Sequence, residues 1–173
     1  FGHWWYEGPW FLDYLFRKTW FDQGSYEMTH LADYLRQNPT QQMINPAQSS
    51  WGYKGFHEYW LNETSAWIYP HLHKATERMI ELAKREAVDE LERKALNQAA
   101  RELLLAQSSD WAFIMRTGTM VPYAVRRTRS HLMRFNKLYE DILQGKIDSG
   151  WVEKVEAIDN IFPNINYQVY RPL

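Results

Sequence analysis

The chain has 173 residues, with 20 Lys plus Arg against 21 Asp plus Glu and no cysteine. That length supports one packed core, and the near balance of charge gives no field for nucleic acid or a membrane surface. The lack of thiols excludes a disulfide framework and a thiolate metal site, and no apolar run approaches the roughly 20 residues that span a bilayer.

In chain order, residues 9–20 read as a helix, with Pro9 in its first turn and an apolar stripe of Phe11, Leu12, Leu15 and Phe16. Asp22–Ser25 break it. Tyr26–Thr29 read as a short strand, and Leu31–Gln37 as a short helix stopped by Asn38-Pro39. Residues 40–56 are a loop rich in turn formers (Pro46, Ser49, Ser50, Gly52, Gly55), and a domain boundary is expected between residues 48 and 49. Trp67, Ile68, His71, Leu72, Ala75, Met79 and Leu82 mark a helix running to about residue 85. After a break at Glu86–Asp89, Leu91, Leu96, Ala99, Leu103 and Ala106 mark the next, over 89–107. Asp110–Gly118 read as a loop or short turn. The longest helix is expected over 120–144, with Thr119 as cap, Pro122 in the first turn and Gly145 after the end. Its seam is Val121, Val125, Thr128, Leu132, Phe135, Tyr139 and Ile142. Pro163 and Pro172 make 146–173 read as mostly irregular.

Aromatics are the compositional outlier: 9 Trp, 11 Tyr and 8 Phe. Large rings fill cores first. They also offer flat platforms to sugar faces or bases, and the near-neutral charge favours sugar. Trp51, in a Gly-containing loop, and Trp60, before a helix, are the rings to single out as a platform; the bland alternative is a core anchor. Other candidates read as structural. His71 and His73 are two apart and face different sides of a helix, so with His57 they make a poor metal set. Glu58 and Glu63 are a carboxylate pair only on paper, because a retaining glycosidase needs two groups about 5–5.5 Å apart. Arg126, Arg127, Arg129, Arg134 and Lys137 read as a solvated basic face.

Several blocks follow one another in an informative order. Phe1-Gly2-His3-Trp4-Trp5-Tyr6-Glu7-Gly8-Pro9 opens the chain. Trp51-Gly52-Tyr53-Lys54-Gly55, Trp60-Leu61-Asn62 and Trp67-Ile68-Tyr69-Pro70-His71-Leu72-His73 follow. Ala99 to Trp111 and Phe113 to Thr119 complete the set. Together they resemble glycoside hydrolase family 57, in its 1,4-α-glucan branching enzyme branch. The resemblance implies a mainly α chain: residues 1–48 as the last segment of a β/α catalytic barrel, and residues 49–173 as a helical domain of three or more packed helices along a glucan groove. In the family, an Asp four residues before the position of Phe1 is the general acid/base, and the Glu nucleophile lies earlier still. No catalytic residue is therefore expected in this chain, which reads as a fragment or processed product of a cytoplasmic protein. By the same resemblance Trp51, Trp60, Asp110, Trp111 and Thr119 bind substrate. Thr119 stands where family members often carry Gln, so its reach is shorter. The implied partners are an α-1,4-glucan and the upstream barrel, with no metal, cofactor, nucleic acid or membrane. A non-catalytic glucan-binding module and a purely structural domain are the alternatives.

Overall fold

The computed structural model describes residues 6–172, so the Phe1–Trp5 part of the opening motif lies outside the described residues. The chain divides into two compact units, Phe1–Ala47 and Gln48–Leu173. Among the described residues every regular element is helical, and no helix is long and apolar enough to cross a membrane.

In the first unit α1 spans Glu7–Phe21 and α2 spans Leu31–Gln37. Glu7 lies in the first turn of α1 and Lys18 in the last, where each complements the helix dipole. Exposed pairs Asp13–Arg17 and Lys18–Asp22 add little, because solvent screens them. Packing adds little more, since Gly8 and Thr19 are the buried residues of α1. The strand expected at Tyr26–Thr29 does not form. A strand needs a partner for its backbone groups; here Gln23 takes that place. Its Oε1 accepts from the N–H of Ser25 (2.8 Å) and of Tyr26 (3.1 Å), and its Nε2 donates to the carbonyl of Tyr26 (2.9 Å).

The second unit holds α3 (Ile68–Ala83), α4 (Glu90–Ala106), α5 (Ser109–Thr117), α6 (Val121–Gln144) and α7 (Ser149–Ile158). Two short 3-10 turns, Tyr53–Gly55 and Tyr167–Tyr170, flank this series. α4 is central: it packs on α3, α6, α7 and the second 3-10 turn. Met79, Leu82, Leu96, Leu103, Phe135, Leu138 and Val152 fill the core, each contributing about 1.5–3 kcal/mol by leaving water. Asp89 caps α4 by accepting from the N–H of Glu92 (2.8 Å), and Glu92 reaches back to the N–H of Val88 (2.9 Å). That reciprocal cap makes a clean break without glycine or proline.

Three expectations are corrected. Asp110–Gly118 is not a loop: it lies mainly within α5, which is only nine residues long and buries Trp111, Ala112 and Met115. Gly118 ends it in the left-handed region, at φ 78°. Thr119 does not cap α6, because the cap position falls to Met120 and has no side-chain hydrogen bond. The tail is not mostly irregular. Asp148 caps α7 by accepting from the N–H of Trp151 (3.0 Å), and Val152 and Val155 are buried. Beyond it, Arg101 donates to the carbonyls of Ile161 (3.0 Å) and Pro163 (3.1 Å), pinning the tail to α4.

Candidate functional site

The loop before α3 is small and internally bonded. The N–H of Ser50 donates to Gly55 O (2.8 Å), its hydroxyl to Phe56 O (2.5 Å), and the N–H of Gly52 donates back to that hydroxyl (3.0 Å). Lys54 and Gly55 both take positive φ, 50° and 81°, the conformation that closes so tight a turn. The loop holds Trp51 out in solvent, 78% exposed. Gly52 is needed for contact rather than conformation: a Cβ there would stand 2.8 Å from Trp60 Cζ3 and 2.9 Å from Tyr59 Cδ2.

Trp51 does not stand alone. Its ring lies 6.5 Å from Tyr59 at 24° and 5.2 Å from Trp60 at 78°. Phe113, on α5, lies 6.0 Å from Trp51, 5.2 Å from Tyr59 and 6.5 Å from Trp60. Trp60 packs against the core, and its carbonyl accepts from the hydroxyls of Ser65 (3.0 Å) and Tyr69. The two tryptophans therefore differ in kind. Trp60 is half-buried support, and Trp51 is the outer face.

α5, which contributes Phe113, also carries or adjoins the other candidates. Asp110 is exposed in its first turn, one turn ahead of Phe113, and its carboxylate lies 3.2 Å from the hydroxyl of Ser108. Thr119 is exposed just past the helix end, its hydroxyl 3.1 Å from that of Thr117. Trp111 faces the other way and is only 8% exposed. Its indole N–H donates to Leu105 O (2.7 Å), and its ring stacks on His131 at 6.4 Å with Arg127 above it at 5.7 Å. Of the five binding residues read from sequence, Trp51, Trp60, Asp110 and Thr119 retain solvent access, whereas Trp111 braces α5 from within. Tyr59 and Phe113 were missed. Their signal was available only as a block of aromatics, since nothing in the spacing says that residue 113 meets residue 59.

A second constellation is fully buried. Glu102, His131 and Asp159 place ligand-type atoms within 4.8 Å of one another. A nitrogen and two carboxylates suit a divalent cation, but the atoms that face one another are engaged, although His131 Nε2 is buried without a hydrogen-bond partner. His131 Nδ1 is 2.7 Å from Glu102 Oε2, Gln98 Nε2 donates to Glu102 Oε1 (2.9 Å), and Arg134 pairs with Asp159. Arg127 stands 3.8 Å from the other oxygen of Asp159. Burial pushes the Glu102 carboxyl up, against the hydrogen bonds from His131 and Gln98. These groups form an ion-pair network that joins α4, α6 and the residue after α7. His57, His71 and His73 are exposed and form no such cluster among the described residues.

The basic stretch of α6 is only partly a solvated face. Arg127 and Arg134 turn to Asp159, whereas Arg126, Arg129 and Lys137 lie over Tyr123 (5.8 Å), Trp67 (5.5 Å) and Trp151 (4.9 Å). Glu58, a nominal catalytic carboxylate, is ion-paired with Arg116 of α5.

The fold is a helical bundle with an open aromatic platform at one edge of α5. Residues 71–170 match the family of C-terminal domains of 1,4-alpha-glucan branching enzymes. Over 168 residues the chain is 33% identical to the 1,4-alpha-glucan branching enzyme of Thermococcus kodakarensis, covering 94% of this chain and 25% of that protein. The solved branching enzyme of that archaeon, in complex with glucose and additives, aligns with a TM-score of 0.73 at 31% identity. It covers 99% of this chain and 32% of that one. The family 57 branching enzyme of Pyrococcus horikoshii gives 0.71 at 32%, over 99% and 33%. The alpha-amylase AmyC of Thermotoga maritima gives 0.65 at 40%, over 100% and 32%. This chain belongs to the family of 1,4-alpha-glucan branching enzyme C-terminal domains. It spans about a quarter to a third of the length of these relatives.

Proposed function

We propose that this chain is the glucan-gripping C-terminal part of a cytoplasmic 1,4-alpha-glucan branching enzyme acting on amylose-like chains or nascent glycogen. The observation that carries the reading is the exposed Trp51 ring, set against Tyr59, Trp60 and Phe113, with Asp110 exposed one turn ahead of Phe113 on α5. A flat ring takes the C–H face of a glucose unit, and a carboxylate accepts from sugar hydroxyls. Thr119 adds one hydroxyl at the far end of α5, and Trp111 keeps the helix in place.

The chemistry of the whole enzyme is retaining transfer. An enzyme carboxylate displaces the glycosidic oxygen to form a glycosyl-enzyme, and a sugar 6-hydroxyl rather than water attacks it. Both carboxylates belong to an upstream barrel, of which residues 1–48 are the closing part. Glu58 is tied to Arg116, which supports giving it a structural role. Transfer requires that the acceptor be held and water excluded, and the platform supplies the grip.

A second reading has its own observation. The 40% identity to the alpha-amylase AmyC favours a hydrolase. Measuring new α-1,6 branch points against reducing ends released from amylose separates them. The gene's full product, with Trp51→Ala and Trp60→Ala beside it, is the sample. Branching that falls relative to hydrolysis in the variants supports the transferase; reducing ends alone, from the start, establish the hydrolase.

A further inference from the structure

We propose that Phe113 and the Glu58–Arg116 ion pair are positioning residues that hold the Trp51 ring in the orientation in which it meets glucan. The inference rests on the platform reading above. Trp51 is 78% exposed, so the core does not fix its side chain. Its ring contacts are Tyr59, Trp60 and Phe113. Tyr59 belongs to the same segment as Trp51 and would move with it, whereas Trp60 packs against the core and meets Trp51 edge-on. Phe113 comes from another element, α5, and ties the segment to the bundle.

Arg116 reinforces the tie. It follows Phe113 by three residues, so both project from one side of α5. Phe113 meets Tyr59, and Arg116 pairs with Glu58, the residue just before it. Two anchors on one helix thus grip two consecutive residues of the loop arm. α5 is itself held by Trp111, whose indole N–H donates to Leu105 O at 2.7 Å and whose ring stacks on buried His131. The support runs from core to Trp111, to α5, to Phe113 and Arg116, and so to Trp51.

The consequence is preorganisation. An exposed side chain that must be ordered on binding weakens affinity by about 2- to 10-fold. Phe113→Ala frees the Trp51 ring and is expected to weaken glucan affinity by about that factor without removing a sugar contact. Phe113→Tyr keeps the ring and is expected to keep the affinity. Arg116→Ala and Glu58→Ala are expected to cost about 2-fold each, less at high salt, because the pair is half-exposed.

The test measures maltoheptaose affinity and melting temperature for the gene's full product with Trp51→Ala, Phe113→Ala, Phe113→Tyr and the Trp51→Ala/Phe113→Ala double variant. The expected result is that Phe113→Ala weakens binding, Phe113→Tyr restores it, and the double variant binds no worse than Trp51→Ala alone. A Phe113→Ala protein with wild-type affinity, or a loss that adds fully to that of Trp51→Ala, overturns the positioning role and leaves the platform standing. A Trp51→Ala protein with undiminished affinity overturns the platform and this inference together. Should Phe113→Ala fail to fold, Arg116→Ala in the same cycle with Trp51→Ala decides the question by the same rule.

Discussion

The two units use the same residue type in opposite ways. In residues 48–172 large apolar side chains build a closed core around α4, with the rings of Trp111, Phe135 and Tyr167 buried in it. In residues 6–47 Trp10, Phe16, Trp20 and Phe21 are exposed, and α1 buries little but Gly8 and Thr19. Abundance of aromatics is therefore a poor guide to a binding surface. What distinguishes Trp51 from Trp20 is support: Trp51 is exposed but backed by Tyr59, Trp60 and Phe113, with Asp110 one turn from Phe113 on α5. A bare helix face asks for cover by more protein, whereas an exposed ring braced by other rings suits a small polar ligand with an apolar face.

Substitutions sharpen this contrast, beginning with the largest effect. Phe135→Ala empties a fully buried site and is expected to cost about 3–5 kcal/mol of folding stability, whereas Phe16→Ala on exposed α1 should stay within about 0.5 kcal/mol in this chain. Denaturant unfolding followed by circular dichroism checks both. Equal losses would mean that α1 is packed after all. Asp159→Ala leaves Arg134 and His131 facing an empty buried position, and a loss of about 3 kcal/mol is expected in the same experiment.

Gly52→Ala comes next. Its Cβ must push the Trp60 and Tyr59 rings, so about 1–3 kcal/mol should be lost. Glucan affinity should fall with it, which no core substitution away from the platform would cause. Isothermal titration with maltoheptaose on the folded variant reads that second effect; unchanged affinity would separate Gly52 from the platform.

The buried network adds a smaller, pH-dependent term. The Glu102 carboxyl is raised above its ordinary value of 4.5, by burial first. The folded state therefore holds its proton more tightly than the unfolded state. Its contribution to stability is full below about pH 4.5 and is lost as pH rises through the higher folded-state value. His131, Gln98 and Asp159 face this carboxyl, and Arg127 and Arg134 stand behind Asp159. Glu102→Gln should remove that slope, so the variant gains on the wild type as pH climbs from 4 to 7, read from paired melting curves at about one-unit steps. Parallel curves would locate the titration elsewhere.

Much of this was legible in the sequence, and the misses have physical causes. The apolar period of α3, α4 and α6 placed those helices, because buried stripes at 3–4 spacing leave no other reading: Leu72, Ala75, Met79, Leu96, Leu103, Leu132 and Phe135 are all buried. The polar interior was not legible. Gln98, Arg101, Glu102 and His131 look like a solvated face until their partners are known, and the hydrogen-bond partners that join different elements lie 29 to 62 residues away. α5 and α7 were lost because they are short, so tertiary packing rather than a long apolar period decides them. At the proposed platform, Trp51, Trp60, Asp110 and Thr119 were named from the sequence and keep solvent access, while the packing of Trp111 on His131 and of Phe113 on Trp51 and Tyr59 depends on contacts between distant segments.

The most direct test sets the two units against each other in one titration. Maltoheptaose affinity is measured for the gene's full product, for Trp51→Ala and for Trp20→Ala, with melting temperature as the check on folding. Loss of one stacked ring is worth about 1–3 kcal/mol, so Trp51→Ala should bind at least about 5-fold more weakly while Trp20→Ala binds as the wild type does. If Trp20→Ala loses affinity and Trp51→Ala keeps it, the platform is not in the second unit.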